Sequence, residues 1–265
     1  MNYLLLSSLS FVVGIVVGLT GIGGASLITP MLIFVFQVPP SVAVSSDVVA
    51  ATLMKIVGGI KHWKQKTLDM PAVIWLAMGS VPGSLVGVGI LHHIRQSSAL
   101  NLDNVLLQLI GAAILLIASV SLVQLLLLTF APNLDLPSLP AVNLKTWAGR
   151  ATSVAIGAVL GCVVGLTSVS SGSMFVLVLI ALFRLDARSL VGTDLAQAAI
   201  LLSVTSLGHF TLGTVDWHVV IPIWIGSIPG VMVGAKLCHI APQRLLRFGI
   251  YMLLVMVSWK LAHGI

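Results

Sequence analysis

Long apolar runs cover most of the chain and are separated by short polar intervals, a pattern that predicts membrane-spanning helices. The first half has apolar runs at residues 3–20, 25–36, 41–63, 71–91 and 104–130. The second half repeats this order at residues 151–166, 173–183, 189–210 and 217–238, with a last run that ends near residue 262. Because a helix needs roughly 20 apolar residues to cross a bilayer, the runs at 25–36 and 173–183 are too short to cross.

Two stretches rich in glycine, serine and threonine interrupt the apolar pattern at equivalent places in the two halves. Residues 18–26 read GLTGIGGAS and residues 165–173 read GLTSVSSGS. Glycine and serine at this density disfavour a continuous helix. Non-helical backbone inside a membrane survives only where protein covers it or where it lines a cavity. We therefore predict that each stretch, called break 1 and break 2 below, is the tip of a broken helix beside a polar site, as in many transporters.

Composition supports an all-α, polytopic membrane protein. Of the 265 residues, 58% are hydrophobic and only 8% are charged, whereas a soluble domain carries roughly a quarter charged residues. The net charge of +6 comes from basic residues in short loops, which the positive-inside rule explains. The lipid bilayer is thus an expected partner and nucleic acid is not. The sequence leaves homo-oligomerisation open.

An internal duplication relates the two halves. An offset of 147 residues aligns them without a gap, and 27 of the 81 positions from Val12 to His92 are identical. The matches include Asp47 with Asp194, and GSVPG at 79–83 with GSIPG at 226–230. Such matches at polar and glycine positions indicate a true repeat. We predict an N-terminal membrane repeat at 1–131, a Pro-rich linker at 132–150 and a C-terminal membrane repeat at 151–265.

The distribution of basic residues predicts that the second repeat is inverted in the membrane. If each break forms a broken helical hairpin that returns to its own side, each repeat adds about three spanning helices and crosses an odd number of times. With the loop at 61–66 inside, this arrangement places 11 of the 13 basic residues inside. The parallel alternative places about seven inside and six outside, so the Lys/Arg bias favours inverted-topology repeats with both termini outside.

The order of motifs resembles that of the sulfite exporter TauE/SafE family, also called TSUP permeases. The likeness rests on the first break with its proline, GLTGIGGASLITP, on SSD at 45–47 and GTD at 192–194, on a His-loop-Asp pair in each half, and on GSVPG and GSIPG. The resemblance implies a multi-pass inner-membrane permease for small sulfur-containing anions such as sulfite or sulfonates. Asp47 and Asp194 stand where the family pattern suggests serine, and break 2 lacks the proline that follows break 1.

The breaks are the first candidate for substrate binding. Free N–H groups at a half-helix N-terminus attract anions, and serine hydroxyls add donors suited to sulfite or sulfonate oxygens. Close helix packing by small residues is the alternative explanation. The candidate substrate-binding residues are Thr20, Gly21, Gly23, Gly24, Ser26, Thr167, Ser168, Ser170, Ser171 and Ser173.

Four polar residues within the helices are candidates for coupling or gating. An acidic residue inside a membrane is a functional candidate, so Asp47 and Asp194 could relay protons, hold a cation such as Lys55, or simply bond the free N–H groups near a helix start. For Lys55 we favour extension of the side chain towards the basic inner face. Gln197, which aligns with Ala50 of the first half, is a weaker candidate.

The sequence predicts a secondary transporter rather than an enzyme. No P-loop, HExxH or GxSxG motif occurs, and the histidines lie near helix ends without metal-ligand spacing. We expect no cofactor and no metal. Given the resemblance, the expected function is export of sulfite or an organosulfonate across the inner membrane. A proton-coupled importer of another anion, an anion channel and a membrane partner without transport activity remain alternatives.

Overall fold

The described part of the chain is almost entirely helical. The computed structural model describes residues 2–20, 24–96, 102–130, 142–168, 173–185, 187–237 and 243–263, and no strand occurs among them. The helices are α1 (Tyr3–Thr20), α2 (Ala25–Phe34), α3 (Pro40–Lys64), α4 (Met70–Gln96), α5 (Leu102–Phe130), α6 (Trp147–Thr167), α7 (Ser173–Val178), α8 (Ala187–Thr211), α9 (Trp217–Leu237) and α10 (Gln243–His263). A π-helical segment, Leu179–Phe183, extends α7.

Six of the described helices are long and apolar enough to cross a membrane. They are Pro40–Lys64, Met70–Gln96, Asp103–Leu126, Trp147–Thr167, Ser189–Thr211 and Trp217–Gly234. A helix satisfies all its interior backbone groups, which a spanning segment requires in hydrocarbon. The protein is thus an all-α, multi-pass membrane protein, as the apolar pattern predicted.

Side chains cap the starts of two of the helices. Thr146 accepts a hydrogen bond from the Gly149 N–H at 3.1 Å and starts α6 at Trp147, inside the range that the sequence assigned to the linker. Asp69 accepts from the Ala72 N–H at 3.0 Å at the start of α4. A capping side chain of this kind satisfies one of the free N–H groups of a first turn.

The duplication is visible in the backbone. Gln37 and Arg184, which the 147-residue offset aligns, have φ values of 53° and 50° after the short helix of each half. Lys66 and Gly213 form a second aligned pair, with φ values of 54° and 64°. Non-glycine residues rarely adopt a positive φ. The recurrence of positive φ values at aligned positions therefore means that both halves turn in the same way.

Helices of one half pack mainly on helices of the other half. The principal pairs are α1 with α9, α4 with α6, α3 with α8 and α5 with α10. The offset converts the α1–α9 pair into the α6–α4 pair, and it exchanges the two members of each remaining pair. The set of contacts therefore maps onto itself when the halves are exchanged. In this set, α3 packs directly on its repeat-related helix, α8.

Glycines bring the α4–α6 and α1–α9 backbones into direct contact. A Cβ atom added at Gly83 would lie 2.2 Å from the Ala158 carbonyl oxygen, and one added at Gly161 would lie 2.1 Å from that of Ser80. In the equivalent pair, a Cβ at Gly226 would lie 2.0 Å from the Ser7 carbonyl oxygen. The motifs GSVPG and GSIPG therefore serve close helix packing.

The orientation of the two repeats in the membrane can be tested at the C-terminus. A fluorescent protein that matures only in the cytoplasm, fused after Ile265, is expected to remain dark because the inverted arrangement puts this end outside. The same reporter inserted after Lys66 is the matched control and is expected to fluoresce. Fluorescence from the fusion at Ile265 contradicts the inverted arrangement.

Candidate functional site

A buried carboxylate connects the short helix after break 1 with the start of break 2. Asp47 lies on α3 and is fully buried. Its Oδ2 atom accepts hydrogen bonds from the Thr29 hydroxyl at 2.6 Å and from the Ser168 hydroxyl at 3.2 Å. Thr29 belongs to α2, and Ser168 terminates α6 in the left-handed conformation with φ of 58°. Asp47 thus joins the helix that follows break 1 to a residue of break 2.

The other oxygen of Asp47 has no such support. Asp47 Oδ1 is buried, and within the part of the chain that the structure describes it has no hydrogen-bond partner. Transfer of an unpaired carboxylate out of water is strongly unfavourable. A buried acceptor of this kind therefore calls for a donor, either a proton on the acid or a group supplied by a bound ligand.

The equivalent acid of the second half has a fixed counter-ion. Lys55 Nζ donates to Asp194 Oδ2 at 3.0 Å, and the two side chains are only 11% and 5% exposed. The sequence argument favoured a Lys55 side chain directed to the inner face, and the structure corrects this: Lys55 joins α3 to α8. Asp194 Oδ1, like Asp47 Oδ1, lacks a partner among the described residues.

The residues before these two acids hold the loops of the opposite half. Ser46 Oγ accepts from the Asp216 N–H at 3.0 Å, and Thr193 Oγ1 accepts from the Asp69 N–H at 2.9 Å. The second residue of SSD and of GTD therefore has the same partner in each half. This explains why these motifs and the later aspartates occur as a set: each motif anchors the start of α9 or α4.

His209 is a buried residue that the sequence argument did not select. It lies near the end of α8, as the sequence predicted, but only 1% of its surface is exposed. Its Nε2 lies 3.1 Å from the Gly165 carbonyl oxygen, and its Nδ1 lies 2.9 Å from Ser45 Oγ, which is 2.6 Å from Thr214 Oγ1. Because a carbonyl only accepts, Nε2 carries the proton of the neutral ring and Nδ1 accepts from Ser45. His209 thus links α3 to the first residue of break 2.

Gln197 also lies at the interface between the halves. Its Nε2 donates to Ser80 Oγ at 2.8 Å, and both residues are fully buried. Its Oε1 is another buried acceptor without a partner in the described structure. The candidate coupling residues Asp47, Asp194 and Gln197 therefore share one property, an acceptor oxygen that no described side chain satisfies.

The structure describes six of the ten candidate substrate-binding residues. Ser26 is buried on α2, Gly24 precedes that helix, and the Thr167 hydroxyl donates to the Val163 carbonyl oxygen at 2.8 Å. Thr20 ends α1 and Ser173 begins α7. Gly21, Gly23, Ser170 and Ser171 lie outside the described residues. Of these candidates, Ser168 is the one that the described contacts join to a candidate coupling residue.

A groove of about 620 Å³ lies between α1, α2 and α10. Ser26 is the only residue with a polar side chain among those that line it. A surface of this kind suits hydrocarbon and gives an anion too few donors. Among the described residues, no group of three or more His, Cys, Asp or Glu side chains is arranged to hold a metal ion.

Among the described residues, six helices are long and apolar enough to span a membrane, and a buried polar network joins the two halves. This combination is typical of multi-pass membrane transporters. The chain belongs to the sulfite exporter TauE/SafE family, whose family model matches residues 6–261.

Curated relatives agree with this class. The probable membrane transporter protein YjnA of Bacillus subtilis is 38% identical over 237 residues, which cover 87% of each chain. YdhB of the same organism, also a probable membrane transporter protein, is 23% identical over 242 residues, which cover 91% of this chain and 93% of the relative. No solved structure matches the chain. The protein is a membrane transporter and not an enzyme.

Proposed function

We propose that this protein is a secondary transporter that exports a small sulfur-containing anion, such as sulfite or an organosulfonate, across the cell inner membrane. The observation that carries the proposal is the link from Asp47 to Thr29 and Ser168. This link brings the helix that follows break 1 and a residue of break 2 to one buried polar point. Small residues and hydroxyl donors at such a point suit an anion that has been stripped of water.

The membrane potential supports the outward direction. An inside-negative potential favours the exit of an anion by roughly 2.3 kcal/mol per charge per 100 mV. An exporter of anions can therefore use this potential, whereas an importer of the same anion needs a coupled ion. The family to which the chain belongs carries the name sulfite exporter, and the substrate and direction proposed here follow that name.

Reconstituted flux tests the proposal. In proteoliposomes loaded with sulfite, we expect saturable efflux that competes with sulfoacetate and shows counterflow, because a carrier has a limited number of sites. Replacement Ser171→Leu is expected to reduce this flux to that of protein-free liposomes, because a bulky apolar side chain would remove a donor and occupy break 2.

The control for this variant is Gly89→Leu, at a position on α4 where an added Cβ meets nothing within 4 Å. It is expected to retain wild-type flux, since the new side chain has open space. Flux without saturation or counterflow would favour a channel. Wild-type flux in both Ser171→Leu and Gly24→Leu would show that the breaks do not bind the substrate.

A further inference from the structure

We propose that Asp47 binds a proton that travels with the transported anion, whereas the repeat-related Asp194 keeps a permanent counter-ion and takes no part in this coupling. This inference rests on the proposed function and adds its coupling ion. It starts from the different surroundings of two acids that the duplication places at equivalent positions.

The duplicated framework supplies only one of the two acids with a cation. Lys55 neutralises Asp194 from the neighbouring helix at 3.0 Å. The 147-residue offset aligns Lys55 with Leu202, which carries no charge. Asp47 therefore has no counterpart of the lysine that pairs with Asp194. A buried carboxylate without a counter-ion must be neutralised in another way, and a proton from solution is the simplest means.

The hydrogen bonds of Asp47 indicate which oxygen takes the proton. Thr29 and Ser168 both donate to Oδ2, which is therefore the carbonyl-like acceptor of the acid. Oδ1 has no partner in the described structure and is free to carry the proton. A protonated Oδ1 is a donor that still needs an acceptor, and an anion bound at the breaks supplies one.

Charge repulsion makes anion binding depend on protonation of Asp47. An ionised Asp47 would repel an anion held close to Ser168, and this repulsion is large in a medium of low dielectric constant. The anion therefore binds to the protonated form, and by linkage the bound anion raises the affinity of Asp47 for its proton. Proton and anion move together. When divalent sulfite is the cargo, one net negative charge still moves with each cycle.

Other titratable groups on the helices that pack against α3 are already bonded or distant. Lys55 lies eight residues beyond Asp47, about 12 Å along the helix, and is bound to Asp194. The Asp103 carboxylate bonds the Ser41 N–H at the start of α3, and α2 carries no titratable residue. On α8 and α9, the remaining titratable residues are His209, which bonds Ser45, His218, which is exposed, and Arg188 and Lys236, whose side chains lie outside the described part of the structure.

Two measurements on the purified protein test the inference. Infrared spectra recorded during a pH titration are expected to show the band of a buried protonated carboxylic acid, and Asp47→Asn is expected to lose it. The affinity for sulfoacetate, which stays fully ionised over the assay range, is expected to fall about tenfold per pH unit above the midpoint of that titration. In Asp47→Asn the affinity is expected to be independent of pH, because the amide mimics the neutral acid.

The matched control is the double variant Lys55→Met/Asp194→Asn, which removes the equivalent acid together with its counter-ion. It is expected to keep both the infrared band and the pH-dependent affinity. In proteoliposomes that contain a pH-sensitive dye, wild-type sulfoacetate efflux is expected to carry protons out and raise the internal pH, and flux through Asp47→Asn is not.

The remaining outcomes separate the two proposals. Anion flux without proton movement, or flux that requires sodium ions, would overturn the coupling role of Asp47 and leave the proposed export function standing. A double control variant that loses the band would reassign the proton to Asp194. Neither binding nor flux with any anion tested would overturn the proposed function and this inference with it.

Discussion

Replacement of Lys55 by methionine is expected to destabilise the protein by about 3–5 kcal/mol, because it leaves the Asp194 carboxylate buried without its counter-ion. The two side chains meet at 3.0 Å between α3 and α8, and both are almost completely shielded. Methionine has a similar length and flexibility, so the loss of packing is small and the expected effect is electrostatic. Thermal unfolding in detergent micelles, followed by circular dichroism, measures the change.

A double-mutant cycle isolates the ion pair. Asp194→Asn alone is expected to destabilise the protein as well, since it leaves the ammonium group of Lys55 buried. The combination Lys55→Met/Asp194→Asn is expected to recover most of the loss, because no buried charge then remains. If the double variant were as unstable as the sum of the single variants, the two residues would not act as a pair.

Replacement of Gly161 by valine is expected to prevent close packing of α4 and α6 and to leave little folded protein. The first atom of the new side chain would lie 2.1 Å from the Ser80 carbonyl oxygen and 2.6 Å from the Ser80 Cα. These are backbone atoms, so no rotamer change relieves the clash and the helices must separate. Overpacking of a core costs about 1–3 kcal/mol even where side chains can shift, and we expect a larger loss here.

Gly89→Val is the control for this prediction. Gly89 lies on α4 as well, but a Cβ at that position has nothing within 4 Å. Because the same residue type is introduced on a helix of the same pair, the effects of valine on helix propensity are comparable. The yield of monodisperse protein after detergent extraction compares the two variants. A normal yield and melting temperature for Gly161→Val would show that α4 and α6 do not pack as closely as described.

Side-chain partners were the least predictable part of the molecule. Sequence reasoning selected Asp47, Asp194, Lys55 and Gln197 because polar groups are rare in apolar helices, and all four are buried. It did not select Thr29 or His209, because a threonine in an apolar run and a histidine near a helix end have ordinary explanations. The recurrence of His62 as His209 was a usable signal, but the repeat does not say which of the two is buried.

The sequence by itself determined where the helices lie and where they are interrupted. Apolar length sets the spans, because hydrocarbon demands a fully bonded backbone. Clusters of glycine and serine mark the breaks, and the 147-residue repeat predicted that α7 with its π-helical segment would match α2, as the structure confirms. These features depend on neighbouring residues in the chain and on the surrounding lipid. A short stretch of sequence is therefore enough to predict them.

Only the tertiary structure decided which helices meet and which acid obtains a counter-ion. Lipid and protein interior are equally apolar, so the hydrophobic pattern of a spanning helix does not reveal its neighbour. The exchange of partners between the halves, α1 with α9 and α4 with α6, is therefore absent from the local pattern. The Lys55–Asp194 pair joins residues 139 positions apart, and its existence leaves Asp47 as the acid without a fixed cation.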